Sequence, residues 1–254
     1  MQFSKMHALG NDYIVMEADK FDLSKIPRLC DRHRGIGADG ILLVEASESC
    51  DFRMKIYNAD GSRAQMCGNG IRCFAKYVYD KGLTSKLNLT IETDAGIRRV
   101  QLFIENEKMS NARVSMGSPV LYKEEGKYTT QTISLGNEHL VFYAKNLDLF
   151  PLEKIGPYFS NYPRFRDGVN VEVVNILDEE SMEMRVWERG VGETLSCGTG
   201  ACAAVVAACK EGLVNSKTIV KMKNGTLDVE WNLEENQVYL TGEAVHIFDG
   251  VIDV

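Results

Sequence analysis

Apolar and polar residues alternate with a period of two over many short stretches of the chain, which is strand patterning. Residues 1–17 read as a strand broken by Leu9-Gly10-Asn11-Asp12, a group with turn chemistry. Ile41–Val44 is a short apolar run, Asp51–Tyr57 alternates, and Asn58-Ala59-Asp60-Gly61-Ser62 turns the chain back. Leu87–Thr93, Ile97–Glu105 and Ala112–Met116 continue the strands, with a turn at Asp94-Ala95-Gly96. Helical character is confined to a few segments. Leu23–Arg34 reads as a short helix with Pro27 near its first turn. A longer helix opens at Cys67-Gly68-Asn69-Gly70 and runs to about Asp80, where Lys81-Gly82 is a stop signal. Further on, Pro151–Asn161 reads as a helix, Pro163 and Asp167-Gly168 mark loops, and Asn224-Gly225 predicts a hairpin turn of the primed type.

The pattern occurs twice. Cys67-Gly68-Asn69-Gly70 is answered by Cys197-Gly198-Thr199-Gly200, 130 positions on. At that offset Met54-Lys55-Ile56-Tyr57 lies over Met184-Arg185-Val186-Trp187, and Lys81-Gly82-Leu83 over Glu211-Gly212-Leu213. Nearer the start the offset is 126, placing Leu9-Gly10-Asn11-Asp12-Tyr13-Ile14-Val15 over Leu135-Gly136-Asn137-Glu138-His139-Leu140-Val141. An ordered series whose offset drifts as loop insertions would make it predicts an internal duplication. The expected fold class is α+β: two pseudo-symmetric domains, each with many short strands around one central helix. The expected boundaries are 1–118, carrying Cys67, and 119–244, carrying Cys197.

Composition narrows the function. The net charge is −7 with acids and bases interspersed. No basic run is present to neutralise phosphates, so no nucleic-acid partner is expected. No apolar stretch approaches the ~20 residues of a membrane helix, and Met1–His7 carries no signal-like apolar segment. A cytoplasmic location is the expectation. Seven cysteines in a chain of this length read as thiols in a reducing compartment. No Cys-x2-Cys pair exists and only four histidines are present, so no structural metal is expected; Cys202 and Cys209 read as small buried residues of a helix. Gly35-Ile36-Gly37-Ala38-Asp39-Gly40 contains Gly-x-Gly, but a strand follows it where a dinucleotide fingerprint needs a helix.

The paired Cys-Gly-x-Gly elements carry the chemistry. A glycine-rich turn opening a helix presents backbone N–H groups that bind a carboxylate. A cysteine there feels the positive end of the helix dipole, which predicts a thiol pKa lowered toward neutrality. Two such devices suit the inversion of an amino-acid stereocentre: one cysteine as thiolate removes the α-proton, and the other as thiol returns a proton to the opposite face. Preorganised dipoles would stabilise the enolate-like charge, and no pyridoxal or other cofactor is demanded. The alternatives are helix caps with leftover thiols, or a dithiol redox switch between the two cysteines.

On Met6-His7-Ala8-Leu9-Gly10-Asn11-Asp12, the Gly35–Gly40 loop, Asn58–Ser62, Met66–Cys73, Trp187–Thr194 and Ser196–Gly200, the sequence resembles the diaminopimelate epimerase family over essentially its whole length. The resemblance implies strongly curved, mostly antiparallel sheets wrapped around central helices, with the active site between the domains and the last strand, about 245–254, returned to the first. It implies that Cys67 and Cys197 are the acid/base pair and that the amides of Gly68, Asn69, Gly198 and Thr199 hold the reacting carboxylate. Asn11 and Glu188 would lie near the reacting centre. Asn58, Asn170 and Arg189, helped by Asn137, would read the distal amino-acid group, a role that suits a guanidinium and amides. His139 would flank the thiols. A homodimer is implied by resemblance alone.

The sequence departs from the family pattern at Glu138, Leu140, Val169 and Ala8. Glu138 and Val169 bear on the substrate, not on the chemistry. Cofactor-independent epimerisation or racemisation of another amino acid, such as histidine or a lanthionine-like compound, is the alternative within this chemistry. A non-catalytic amino-acid-binding protein, or an isomerising relative without a cysteine pair, is the alternative outside it.

Overall fold

The structure is a computed structural model that describes residues 1–17, 21–122 and 130–253. Residues 18–20, 123–129 and 254, which the two expected domains and the final strand include, lie outside the described residues. The chain divides into two compact units, Met1–Val114 with Gly242–Val254, and Ser115–Thr241.

In the first unit the order is β1 (Gln2–Ala8), β2 (Asn11–Glu17), α1 (Ile26–Cys30), β3 (Gly40–Glu45), β4 (Phe52–Asn58), β5 (Arg63–Ala64), α2 (Gly68–Asp80), β6 (Asn88–Thr93), β7 (Gly96–Glu105) and β8 (Lys108–Gly117). Strands β2 and β3 pair in parallel, as do β4 and β6; β1–β2, β3–β4, β6–β7 and β7–β8 are antiparallel. Every residue of α2 from Gly68 to Val78 is buried. A helix buried on all sides is enclosed by the sheet rather than laid on one face of it. Ile71, Phe74 and Val78, each fully buried, contribute about 2 kcal/mol apiece on area grounds. Lys76 is buried too, but paired: Nζ lies 2.8 Å from Asp80 Oδ2 and donates to the Met109 carbonyl at 2.5 Å.

The second unit repeats the plan with β9 (Val120–Tyr122), β10 (Thr130–Ser134), β11 (Glu138–Tyr143), α3 (Leu152–Ser160), β12 (Asn170–Asp178), β13 (Ser181–Glu188), β14 (Gly192–Thr194), α4 (Gly198–Lys210), β15 (Lys217–Met222), β16 (Gly225–Asn232) and β17 (Gln237–Glu243). Its pairings copy the first unit's: β11–β12 and β13–β15 are parallel, and β10–β11, β12–β13, β15–β16 and β16–β17 antiparallel. The duplication holds at the level of register, with Ile41 opposite Tyr57 and Val171 opposite Trp187. Helix α4 is buried from Ala201 to Ala208. The last strand, β18 (Val245–Val251), pairs antiparallel with β1, where Asp249 accepts hydrogen bonds from Ser4 Oγ at 2.6 Å and Lys81 Nζ at 2.7 Å.

Three local expectations need correction. The helix expected over Leu23–Arg34 is a 3-10 turn at Leu23–Lys25 followed by α1, which stops at Cys30. Asp31 ends it: its Oδ1 accepts the N–H groups of His33 and Arg34, both at 2.8 Å, a local turn that competes with helix continuation. At Asn224-Gly225 a hairpin turn does form, but the positive φ falls on Gly225 (+136°) after the loop, not on its central residues. A primed turn does form at Asn106-Glu107, where φ is +50° and +63°. Cys202 is buried as expected, whereas Cys209 is half-exposed at the end of α4.

Candidate active-site elements

Each repeat ends β-strand pairing just before its central helix, and in each a cysteine is the residue that caps the helix. Cys67 has extended backbone angles (φ −143°, ψ 126°) and Cys197 nearly the same (φ −134°, ψ 116°). In both, Sγ accepts the N–H of the residue three positions on, Gly70 or Gly200, at 3.4 Å. The cysteine carbonyl takes the next amide, that of Ile71 or Ala201. The N–H groups of residues 68, 69, 198 and 199 therefore precede the first intrahelical acceptors, which is the anion-cradle geometry. Two arginine contacts stiffen the first cradle: the buried Arg72 donates to Gly68 O and to Asn69 Oδ1, both at 2.9 Å.

Around Cys67 the first unit places Asn11 and Tyr13. The β1–β2 hairpin turns through Leu9 and Gly10, both at positive φ, and delivers Asn11 at the start of β2. The Tyr13 hydroxyl lies 3.0 Å from Cys67 Sγ and donates to Asn11 Oδ1 at 2.5 Å; Asn11 Oδ1 lies 3.8 Å from Sγ. Asn11 Nδ2 donates to Asp39 Oδ2 at 2.9 Å, and Asp39 also accepts from Arg32 at 2.7 Å. Asn58 is exposed, with its amide turned to Ser62 Oγ at 2.9 Å.

Around Cys197 the environment is drier and more acidic. The thiol is 6% exposed. Thr199 Oγ1 lies 3.5 Å from Sγ, and Asn137 Nδ2 reaches Thr199 Oγ1 at 3.4 Å. The Glu188 carboxylate lies close enough to Cys197 to act on its charge, and accepts from Thr194 Oγ1 at 2.5 Å. Below the first turn of α4, His139 Nδ1 and Glu172 Oε1 are 2.7 Å apart, and both side chains are fully buried. His139 Nε2 and Glu172 Oε2 have no hydrogen-bond partner among the described residues. At the ends of β12 and β13, Asn170 Oδ1 accepts the Arg189 N–H at 2.8 Å, while the exposed Arg189 guanidinium donates to Asp167 O at 2.6 Å.

The expected lowering of the thiol pKa does not hold at Cys197. Burial pushes that thiol well up, and the Glu188 and Glu172 carboxylates add to it; hydrogen bonds from Thr199 and Gly200 oppose the shift without overcoming it. Glu188 itself is pushed up by burial and by Glu172, against the hydrogen bond from Thr194.

Three residues of this environment were not singled out by sequence: Tyr13, Asp39 and Glu172. Tyr13 had a signal, because the 126-residue offset lays it over His139. Glu172 reads as one polar position in a strand, and its burial is visible only in three dimensions. Among the described residues no group of three His, Cys, Asp or Glu side chains is placed to hold a metal ion, and no helix is long and apolar enough to cross a membrane.

Known proteins match this chain from end to end. The family model described as diaminopimelate epimerase matches residues 3–122 and 131–247. A protein named diaminopimelate epimerase from Methanococcus maripaludis (strain C6) is 45% identical, with 100% of each chain covered. Its namesake from Acetivibrio thermocellus is 44% identical over 100% of this chain and 99% of its own. Among solved structures, a PhzF-family phenazine biosynthesis protein of Bacillus anthracis superposes with a TM-score of 0.78 at 20% identity, covering 100% and 99% of the two chains. A hydroxyproline epimerase of Agrobacterium vitis does so at 0.76 and 13%, covering 98% and 90%. The structures establish a common fold, and the full-length relatives and the family model, spanning both cysteine-capped repeats, establish more: the chain belongs to the diaminopimelate epimerase family.

Proposed function

We propose that the protein interconverts L,L- and meso-diaminopimelate without a cofactor, in lysine and peptidoglycan-precursor synthesis, with Cys67 and Cys197 as the acid/base pair. The observation that carries this is the repeated cap: two thiols in matching local geometry, each at 3.4 Å from the third amide of a helix whose earlier amides suit a carboxylate. In one direction the Cys67 thiolate takes the α-proton, and the Cys197 thiol, kept protonated by its burial and its acidic neighbours, gives its own to the opposite face. In the other direction Cys197 must first lose its proton. Glu188, whose carboxylate acts on that thiol and is itself pushed up, is the group to receive it, while Cys67 enters as the thiol that returns a proton to the other face. The amides of Gly68, Asn69, Gly198 and Thr199 hold the carboxylate, and their fixed dipoles stabilise charge that develops on it.

Asn58, Asn137, Asn170 and Arg189 read the second amino-acid head, and Asn11 and His139 support the reacting thiols. A homodimer in the cytoplasm belongs to the same proposal, by family resemblance. The test is proton NMR in deuterium oxide, with reductant and no pyridoxal phosphate, on L,L-diaminopimelate, L-histidine and lanthionine separately. Loss of the α-proton signal with appearance of the meso isomer for diaminopimelate alone is expected. Exchange confined to another amino acid would reassign the substrate and keep the chemistry.

A further inference from the structure

The first repeat carries a group beside its thiol that the mechanism above does not use. Tyr13 is buried, and its hydroxyl oxygen lies 3.0 Å from Cys67 Sγ. Its position is set by the fold: Tyr13 sits opposite Gly40 in the parallel β2–β3 pair, as His139 sits opposite Asn170 in β11–β12. The two rings are therefore the same residue of the repeat, each placed under the first turn of a cysteine-capped helix. The tyrosine ring packs directly against that turn: a Cβ on Gly70 would stand 3.6 Å from Tyr13 Cζ, in ordinary contact.

We infer that Tyr13 is a further catalytic residue, whose hydroxyl switches its hydrogen bond between Asn11 and Cys67 as the thiol loses and regains its proton. A phenol has one hydrogen to donate. With Cys67 as thiol, S–H donates to the Tyr13 oxygen, and Tyr13 donates to Asn11 Oδ1 at 2.5 Å. With Cys67 as thiolate, the sulfur is the stronger acceptor and the hydroxyl turns to it. The bond from Asn11 Nδ2 to Asp39 at 2.9 Å, with Asp39 held in turn by Arg32 at 2.7 Å, fixes the amide so that its Oδ1 faces the hydroxyl. Asn11 thus stores the hydroxyl hydrogen until the thiolate needs it. No proton leaves the oxygen: burial and the neighbouring Cys67 push the phenol well above its ordinary pKa. The titratable groups facing it are Cys67 and Cys73 on α2 and Asp39 before β3. The inference rests on the proposed role of Cys67 as a base, and it deepens that role.

The test is Tyr13→Phe, which removes one oxygen and keeps the ring. The rate of Cys67 alkylation by iodoacetamide is followed against pH by peptide mass spectrometry, without substrate, so it can be read even if the proposed activity is absent. A bond to a charged acceptor is worth about a factor of ten or more. The expected result is a roughly ten-fold slower alkylation of Cys67 near neutral pH, with the profile displaced to the alkaline side and that of Cys197 unmoved. In turnover, kcat falls by a similar factor and KM stays within about two-fold. A second variant, 3-fluorotyrosine at position 13, makes the hydroxyl a stronger donor and is expected to displace the profile to the acid side. A Cys67 profile that superimposes on the wild type in both variants overturns the inference.

Discussion

Gly200→Ala and Gly70→Ala are the same substitution in the two repeats, and the structure assigns them different costs. A Cβ on Gly200 would stand 2.6 Å from Glu172 Oε1 and 3.3 Å from Cys197 Sγ; on Gly70 the nearest atom is Leu42 Cδ2 at 3.2 Å. To reach ordinary contact the Glu172 oxygen must retreat by about 0.8 Å. It is held at 2.7 Å to His139 Nδ1, and neither side chain has solvent to move into. Loss of that charge-assisted bond costs about 1.5–3 kcal/mol and overpacking about 1–3 kcal/mol. The gain from alanine over glycine in a helix returns at most about 1 kcal/mol. The net for Gly200→Ala is a destabilisation of about 1.5–5 kcal/mol, whereas a leucine methyl can yield a few tenths of an ångström, leaving Gly70→Ala within about 1 kcal/mol of zero. Both tryptophans, Trp187 and Trp231, lie in the second unit with Gly200. Urea unfolding followed by tryptophan fluorescence therefore reads that unit, and circular dichroism reads the whole chain. A midpoint lowered by about 1–2 M is expected for Gly200→Ala. Equal midpoints for the two variants would refute the account of Glu172 as a fixed, buried partner of His139.

Other consequences follow from the charged groups. The Glu172 carboxylate is one cause of the raised Cys197 thiol, so Glu172→Gln is expected to move the pH profile of Cys197 alkylation to lower pH; a move to higher pH would contradict the assignment. At Asp12 burial acts upward, but hydrogen bonds from Arg32 and Lys5 outweigh it and hold the carboxyl far below its usual range. A depressed folded pKa contributes stability that is complete above the unfolded value and lost as pH falls toward the folded one. Asp12→Asn should therefore cost about 3 kcal/mol at neutral pH, by leaving the buried Lys5 ammonium without its carboxylate, and should flatten the loss of stability below about pH 4 in acid titrations of unfolding. An acid limb as steep as the wild type's would show that other carboxylates govern it.

The repeat made much of this fold legible before any coordinates. Offsets of 130 and 126 are register statements, and the strand pairings Ile41–Tyr57 and Val171–Trp187 keep the first of them residue for residue. Cys67 and Cys197 were visible because glycine-rich caps have a local signature. What the sequence hid was tertiary. Glu172 and Leu42 occupy equivalent places, yet only one is a buried carboxylate under a helix. The dipole logic at the caps predicts a lowered thiol pKa, but burial and two carboxylates reverse it at Cys197. The broken helix after Cys30 turned on a single Asp31 side chain, a competition that periodicity does not register.

The central claim is that two thiols act on one α-carbon from opposite faces. The most direct test is deuterium incorporation from solvent into each diaminopimelate isomer by wild type, Cys67→Ala and Cys197→Ala, with folding checked by circular dichroism. Both variants are expected to lose epimerisation altogether, since neither can complete the transfer across the carbon. Substantial turnover by either single variant would contradict the two-thiol account.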